Sequence, residues 1–122
     1  MYKLDKWLEI AKSAALKGGK YLLENQGKEL KILLNQGRDI KLQLDVDTEQ
    51  LIMDSLRSQI TFSILGEETG LSNDVGEFYW VVDPLDGTSN FLRDIPISCV
   101  SIALMQNLQP ILGVIYDFNH DD

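Results

Sequence analysis

A chain of 122 residues, 44% of them hydrophobic and 25% charged, is about one domain long and can bury a real core. Its formal net charge of −8, from 19 acidic and 11 basic side chains, argues against a nucleic-acid backbone as partner, because no lysine or arginine cluster is present to neutralise one. A single cysteine, Cys99, permits no internal disulfide and fits a reducing compartment. No apolar run approaches the roughly 20 residues of a membrane span. Met1-Tyr2-Lys3-Leu4-Asp5-Lys6 reaches an acid before any apolar run and does not read as a secretory signal. The expected location is the cytoplasm, with neither nucleic acid nor membrane as partner.

From Leu4 to Asn25, apolar or small residues recur at Leu4, Trp7, Leu8, Ala11, Ala15, Gly18 and Leu22, the spacing of an amphipathic helix. Gly18 and Gly19 each cost such a helix roughly 1 kcal/mol against alanine, so they point to close approach of another element or to a weak point. Gly27 can end the helix. Glu29–Leu34 and Asp39–Leu44, around Asn35-Gln36-Gly37-Arg38, read as a β-hairpin, because Ile40, Leu42 and Leu44 alternate with Asp39, Lys41 and Gln43. Either Asp45 or Asp47 can cap a second helix patterned by Leu51, Ile52, Ser55, Leu56 and Gln59, with Gln50 three residues after Asp47 as in a capping box.

Phe62–Leu65 reads as a short buried strand that carries Glu67 and Glu68 at its end, and Thr69–Glu77 as a loop. Phe78–Val82 is aromatic and β-branched, as a central strand should be, and Pro84 cannot donate to a ladder, so the strand is expected to end at Asp83. A short helix begins near Thr88. Ile97–Met105 and Ile111–Phe118 read as two more buried strands, with Cys99 as packing. His120 and the terminal acids Asp121 and Asp122 read as a solvated tail. The order helix, hairpin, helix, then strands indicates an α+β fold with a largely antiparallel sheet.

The chemistry concentrates where the central strand stops. Asp83 and Asp86 share one turn, and the Leu85 carbonyl between them lacks a ladder partner, so three oxygens are available to a hard cation such as Mg²⁺. Gly87 lets the backbone approach a ligand closely, while Thr88, Ser89 and Asn90 are residue types that open helices, where free N–H groups favour an oxyanion. Cation-binding acids beside a phosphate-accepting helix start are the parts needed to hydrolyse a phosphate monoester.

Asp83-Pro84-Leu85-Asp86-Gly87-Thr88-Ser89-Asn90-Phe91 resembles the signature of the inositol monophosphatase family, the Mg²⁺-dependent, lithium-sensitive sugar phosphatases. Leu65-Gly66-Glu67-Glu68 is similar to that family's second acidic motif. Asp45 stands where the family has an acid near the start of its second helix, although Leu42-Gln43-Leu44 precede it where Val-Thr is usual. The resemblance implies that residues 1–122 are the N-terminal part of an αβαβα layered sandwich. It assigns Glu67, Asp83 and the Leu85 carbonyl to one Mg²⁺, and Asp83 and Asp86 to a second. Asp45 with Thr88 would orient or deprotonate the attacking water, Glu67 would share in catalysis as a metal ligand, and Gly87 and Thr88 would contact the phosphate.

The family's third motif, Trp-Asp, is absent: Trp7 precedes Leu8 and Trp80 precedes Val81. The chain is therefore expected to be truncated before the C-terminal half. Asn90-Phe91 is more like inositol monophosphatases than nucleotide 3′-phosphatases, so the expected substrate is a small phosphorylated metabolite, first a myo-inositol phosphate. Fructose 1,6-bisphosphate and histidinol phosphate are alternatives on the same scaffold. Two other classes stand beside the enzyme: a catalytically incomplete or partner-dependent fragment, and a metal-binding or regulatory module without turnover. An uncovered sheet face would favour a homodimer or other self-association.

Overall fold

The computed structural model describes residues 3–36, 39–67, 70–71 and 76–122. Gly37 and Arg38 of the expected hairpin turn, Glu68 of the second acidic motif, and Thr69 and 72–75 of the expected loop lie outside the described residues. Helix α1 (Leu4–Asn25) is followed by the hairpin β1 (Ile32–Gln36) and β2 (Asp39–Leu42), then by helix α2 (Gln43–Gln59). Strands β3 (Ser63–Gly66), β4 (Gly70–Leu71) and β5 (Phe78–Asp86), the short helix α3 (Thr88–Leu92), and strands β6 (Cys99–Gln106) and β7 (Gln109–Tyr116) complete the order.

The architecture is α+β in two layers. A five-stranded sheet runs β4-β3-β5-β6-β7, the hairpin forms a separate two-stranded sheet, and α1 and α2 pack on the larger sheet. Its pairings are antiparallel except one: β3 and β5 run parallel, with Gly66 opposite Val82. The expectation of a largely antiparallel sheet holds, and the exception proves to be the pair that matters.

The core lies between helices and sheet. Ala11, Ala14, Ala15 and Leu22 of α1 and Ile52 and Leu56 of α2 meet Trp80 and Val82 of β5 and Ile102 and Leu104 of β6, all buried. The buried stripe of α1 is turned slightly from the expected one: Ile10, Ala14 and Gly19 are inside, whereas Leu4 is exposed. Small residues there let the layers approach. An added Cβ would come within 2.8 Å of Ile52 at Gly18, and within 2.4 Å of the Tyr116 ring and 2.9 Å of Phe118 Cβ at Gly19. At the other end of β5, Trp7, Phe62 and Phe78 form an aromatic cluster with ring centroids 5.1 to 5.3 Å apart, within the range where aromatic pairs add to burial.

Several boundaries differ from the sequence reading. Helix α2 begins at Gln43, so Asp45 and Asp47 both lie inside it and neither is the N-cap. Asp45 still serves the helix start, because its Oδ2 accepts the Leu42 N–H at 3.0 Å; Gln50 donates instead to Asp54. Gly70–Leu71, expected in a loop, pairs with the end of β3. Strand β5 does not stop at Asp83: its ladder is interrupted between Asp83 and Asp86 and resumes with Asp86 opposite Cys99, which leaves Pro84 in the irregularity where its missing N–H costs nothing. Ile97, expected in a buried strand, is 68% exposed and lies before β6, its carbonyl taken by the Asn90 side chain at 2.8 Å.

The contact at Gly19 carries a stability prediction. Alanine in a helix normally gains about 1 kcal/mol over glycine, but here the methyl would overlap Tyr116 and Phe118, and overpacking costs about 1–3 kcal/mol. Gly19→Ala should lower stability in urea denaturation by up to about 2 kcal/mol, whereas a Lys20→Ala control should be close to neutral.

Candidate functional site

Parallel pairing puts the carboxyl ends of β3 and β5 at one edge of the sheet. Since Gly66 lies opposite Val82, the next residues, Glu67 and Asp83, emerge side by side, about 4.8 Å apart in strand spacing. The Glu67 N–H donates to the Val82 carbonyl at 3.2 Å and extends the register by one step. Asp83 and Asp86, three residues apart, would face opposite ways on a regular strand. The register shift between them re-aims the second acid, as bulges commonly do.

The three acids sense one another. The Asp83 carboxyl is pushed up from 3.8 to about 8, first by burial, then by a hydrogen bond with Glu67 and by the negative charges of Glu67 and Asp86; an N–H from Leu85 works in the opposite direction. Asp83 Oδ1 is buried with no hydrogen-bond partner. Among the described residues, no lysine or arginine forms an ion pair with Glu67, Asp83 or Asp86. Among the described residues, the cluster is a concentration of acidic groups without a basic partner.

Gly87 ends β5 and starts α3. Its φ of +92° lies in the left-handed region that glycine occupies without strain, and an added Cβ would stand 2.7 Å from the Ile97 carbonyl. The turn aims Thr88 back at the acids. Thr88 Oγ1 donates to the Leu85 carbonyl at 3.2 Å and lies 3.5 Å from Asp45 Oδ2. The Leu85 carbonyl lies in the irregular stretch of the ladder and accepts a hydroxyl. Asp45, 1% exposed, reaches the site from α2. A hydroxyl has one proton, so Thr88 serves one of these two acceptors at a time.

The structure thus brings Glu67, Asp83 and Asp86 together and sets Asp45, Thr88, Leu85 and Gly87 against them. It does not focus them on one point: among the described residues, no three histidine, cysteine, aspartate or glutamate side chains are gathered as a ready metal cage. Two residues differ from their sequence reading. Cys99 is not core packing, because the alternation of β6 buries Val100, Ile102 and Leu104 instead. Its thiol lies 3.9 Å from Asp86 Oδ2, and burial, with the charges of Asp86 and Asp83, pushes its pKa up. His120 is exposed but held by Asp117, 2.7 Å from Nδ1 to Oδ2. Both line a cavity of about 500 Å³ beside Asp86 and Gly87.

One buried acid escaped the sequence reading altogether. Glu49 is 0% exposed, and its carboxylate lies against Gly66, where an added Cβ would be 2.3 Å from Oε1. The signal was present: Glu49 follows Asp45 by four residues, which places both on one helix face.

Comparison with known proteins shows the family of the chain. The profile of the Inositol monophosphatase family matches residues 3–122. A "Fructose-1,6-bisphosphatase/inositol-1-monophosphatase" of Aquifex aeolicus is 38% identical over 119 residues, 95% of this chain and 45% of that protein. An "Inositol-1-monophosphatase" of Synechocystis is 38% identical over 117 residues, 93% of this chain and 41% of the other. Among solved structures, the extragenic suppressor protein suhB of Bartonella henselae superposes with a TM-score of 0.86 at 34% identity, over 93% of this chain and 46% of that one. The chain spans less than half the length of these relatives.

The raised Asp83 carboxyl predicts a pH dependence. With its folded pKa above the ordinary value, the native state holds a proton that the unfolded chain releases, so the associated stability is complete below about pH 4 and is lost as pH rises through about 8. In chelator-treated protein, Asp83→Asn should raise the melting temperature by a few degrees at pH 8 and leave it nearly unchanged at about pH 4. An equal shift at both would show that the charge of Asp83 is not what the fold opposes.

Proposed function

The chain belongs to the inositol monophosphatase family, and from that premise we propose that its acid cluster holds Mg²⁺ for the hydrolysis of a phosphate monoester, first a myo-inositol phosphate. One observation carries the proposal: the parallel register of β3 and β5 sets Glu67 beside Asp83, with Asp86 just past the break in the ladder, and burial first and then these neighbours push Asp83 up to about 8. Oxygen-only ligands of this kind suit a hard cation, and the buried, unpartnered Asp83 Oδ1 is the atom such an ion would satisfy. Glu67, Asp83 and the Leu85 carbonyl would hold one ion, and Asp83 and Asp86 a second. When bound, Mg²⁺ supplies Lewis acidity and neutralises charge on the phosphate.

The chain's own part is positioning and proton transfer. Gly87 and Thr88 would lie along the phosphate, with the first N–H groups of α3 left free by the helix start. A water attacking phosphorus in line would pass a proton to Thr88 Oγ1 as the threonine proton moves to Asp45 Oδ2, and the P–O bond to the ester oxygen would break, the departing alkoxide taking its proton from solvent water. The 3.5 Å separation of Thr88 and Asp45 supports this pairing.

A second reading is favoured by a separate observation. The chain covers 45% of the Aquifex aeolicus protein, and Leu65 and Ile115 of the sheet are 39% and 71% exposed, so we also propose that it acts as a catalytically incomplete domain that needs a partner or self-associates through this sheet.

Phosphate release measured with Mg²⁺ on this chain, and on a version joined to the segment of the Aquifex aeolicus relative that it does not span, separates the two. Turnover by the joined version alone supports the incomplete domain, and equal turnover by both removes it. In whichever form is active, Asp83→Asn should lower kcat/KM by about 10²–10³-fold, the order found when a charge-stabilising group is lost. Unchanged turnover would take Asp83 out of the chemistry. Assaying inositol phosphate beside fructose 1,6-bisphosphate, histidinol phosphate and a nucleotide 3′-phosphate ranks the substrates.

A further inference from the structure

We propose that Glu49 is a positioning residue for the acid cluster: from the core side of α2, its buried carboxylate braces the Gly66 backbone and so fixes where Glu67 meets Asp83. The inference rests on the reading of Glu67, Asp83 and Asp86 as a cation site. Glu49 is 0% exposed and stands between Thr48 and Ile52 on the buried face of α2. Its carboxylate occupies the space a side chain at position 66 would fill, with Oε1, Cδ and Oε2 at 2.3, 2.6 and 3.0 Å from an added Cβ.

The backbone that Glu49 braces is the last residue of β3, whose successor is Glu67. That successor is tied to β5 by the bond from its N–H to the Val82 carbonyl, so a displacement of Gly66 is transmitted to the Glu67 carboxyl. One turn earlier on the same face, Asp45 reaches Thr88. A single helix therefore backs both sides of the site, Asp45 behind the Gly87–Thr88 turn and Glu49 behind the Gly66–Glu67 step.

The test is Mn²⁺ binding by the full 122-residue chain, followed by loss of the free-ion EPR signal, with the folded fraction of each variant taken from circular dichroism. Glu49→Gln keeps the shape, Glu49→Met keeps the volume without polar atoms, and Gly66→Ala drives a methyl into the carboxylate. If Glu49 positions Glu67, all three should weaken Mn²⁺ binding by about 10–100-fold, the range for groups that orient metal ligands, after correction for the folded fraction. A purely structural role would lower the melting temperature but leave the affinity of folded molecules as in the parent.

Parent-like affinity in Glu49→Gln and Glu49→Met, with binding lost in Asp83→Asn, would overturn this inference and leave the cation site standing. Absence of Mn²⁺ binding by the parent chain would overturn the cation site and this inference together.

Discussion

The parallel alignment of β3 with β5 is the constraint on which the site depends. In an antiparallel pair the carboxyl end of one strand lies beside the amino end of the other, and Glu67 would sit a strand's length from Asp83. One parallel pairing in an otherwise antiparallel sheet places both acids at the same edge. Parallel strands need a crossover or a long connection between them, and here residues 67–77 make it, including the short edge strand β4.

Around this pair, the remaining elements act through backbone shape more than through attractive contacts between side chains. The irregularity of β5 turns Asp86 toward Asp83, and Gly87, at φ +92°, turns Thr88 back over the Leu85 carbonyl. Helix α2 supplies the rigid background, its first turn fastened by the bond from the Leu42 N–H to Asp45. Neither glycine at the site, Gly66 or Gly87, has room for a methyl: one faces Glu49 and the other the Ile97 carbonyl. Backbone at the site is packed to the limit on the side away from the acids.

Much of this could be read in the letters, and the misses have physical causes. The limits of α1 and the existence of the hairpin, of α2, of the central strand and of α3 follow from periodicity and turn chemistry, which are local. The acids were legible because Asp83, Asp86 and Gly87 are adjacent in sequence and resemble a known signature. Pairing direction was not legible, since Phe62–Leu65 carries the same apolar pattern whether its neighbour runs up or down. Proline at position 84 rightly signals a break in the ladder, but the chain rejoins β6 beyond it, so a strand end and a bulge look alike from the sequence. Glu49 carries only a faint signal, its four-residue spacing from Asp45, for a different reason. An acid within an amphipathic helix reads as solvated by default, and only the packing of β3 against α2 shows that this one is inside.

The crowding of the acids opposes the fold and, on the reading proposed above, serves the chemistry. Burial first, and then the neighbouring carboxyls of Glu67 and Asp86, push the Asp83 carboxyl up to about 8, so charging it costs stability. A phosphate dianion meeting this cluster alone would be repelled, at an energy that grows as water is excluded. On that reading, the same repulsion would make the edge of β3 and β5 selective: an ester dianion would be welcome there only once cationic charge had displaced the Asp83 proton. Affinity for the ester would thereby be coupled to occupancy by a cation, through the carboxyl charges of Glu67, Asp83 and Asp86.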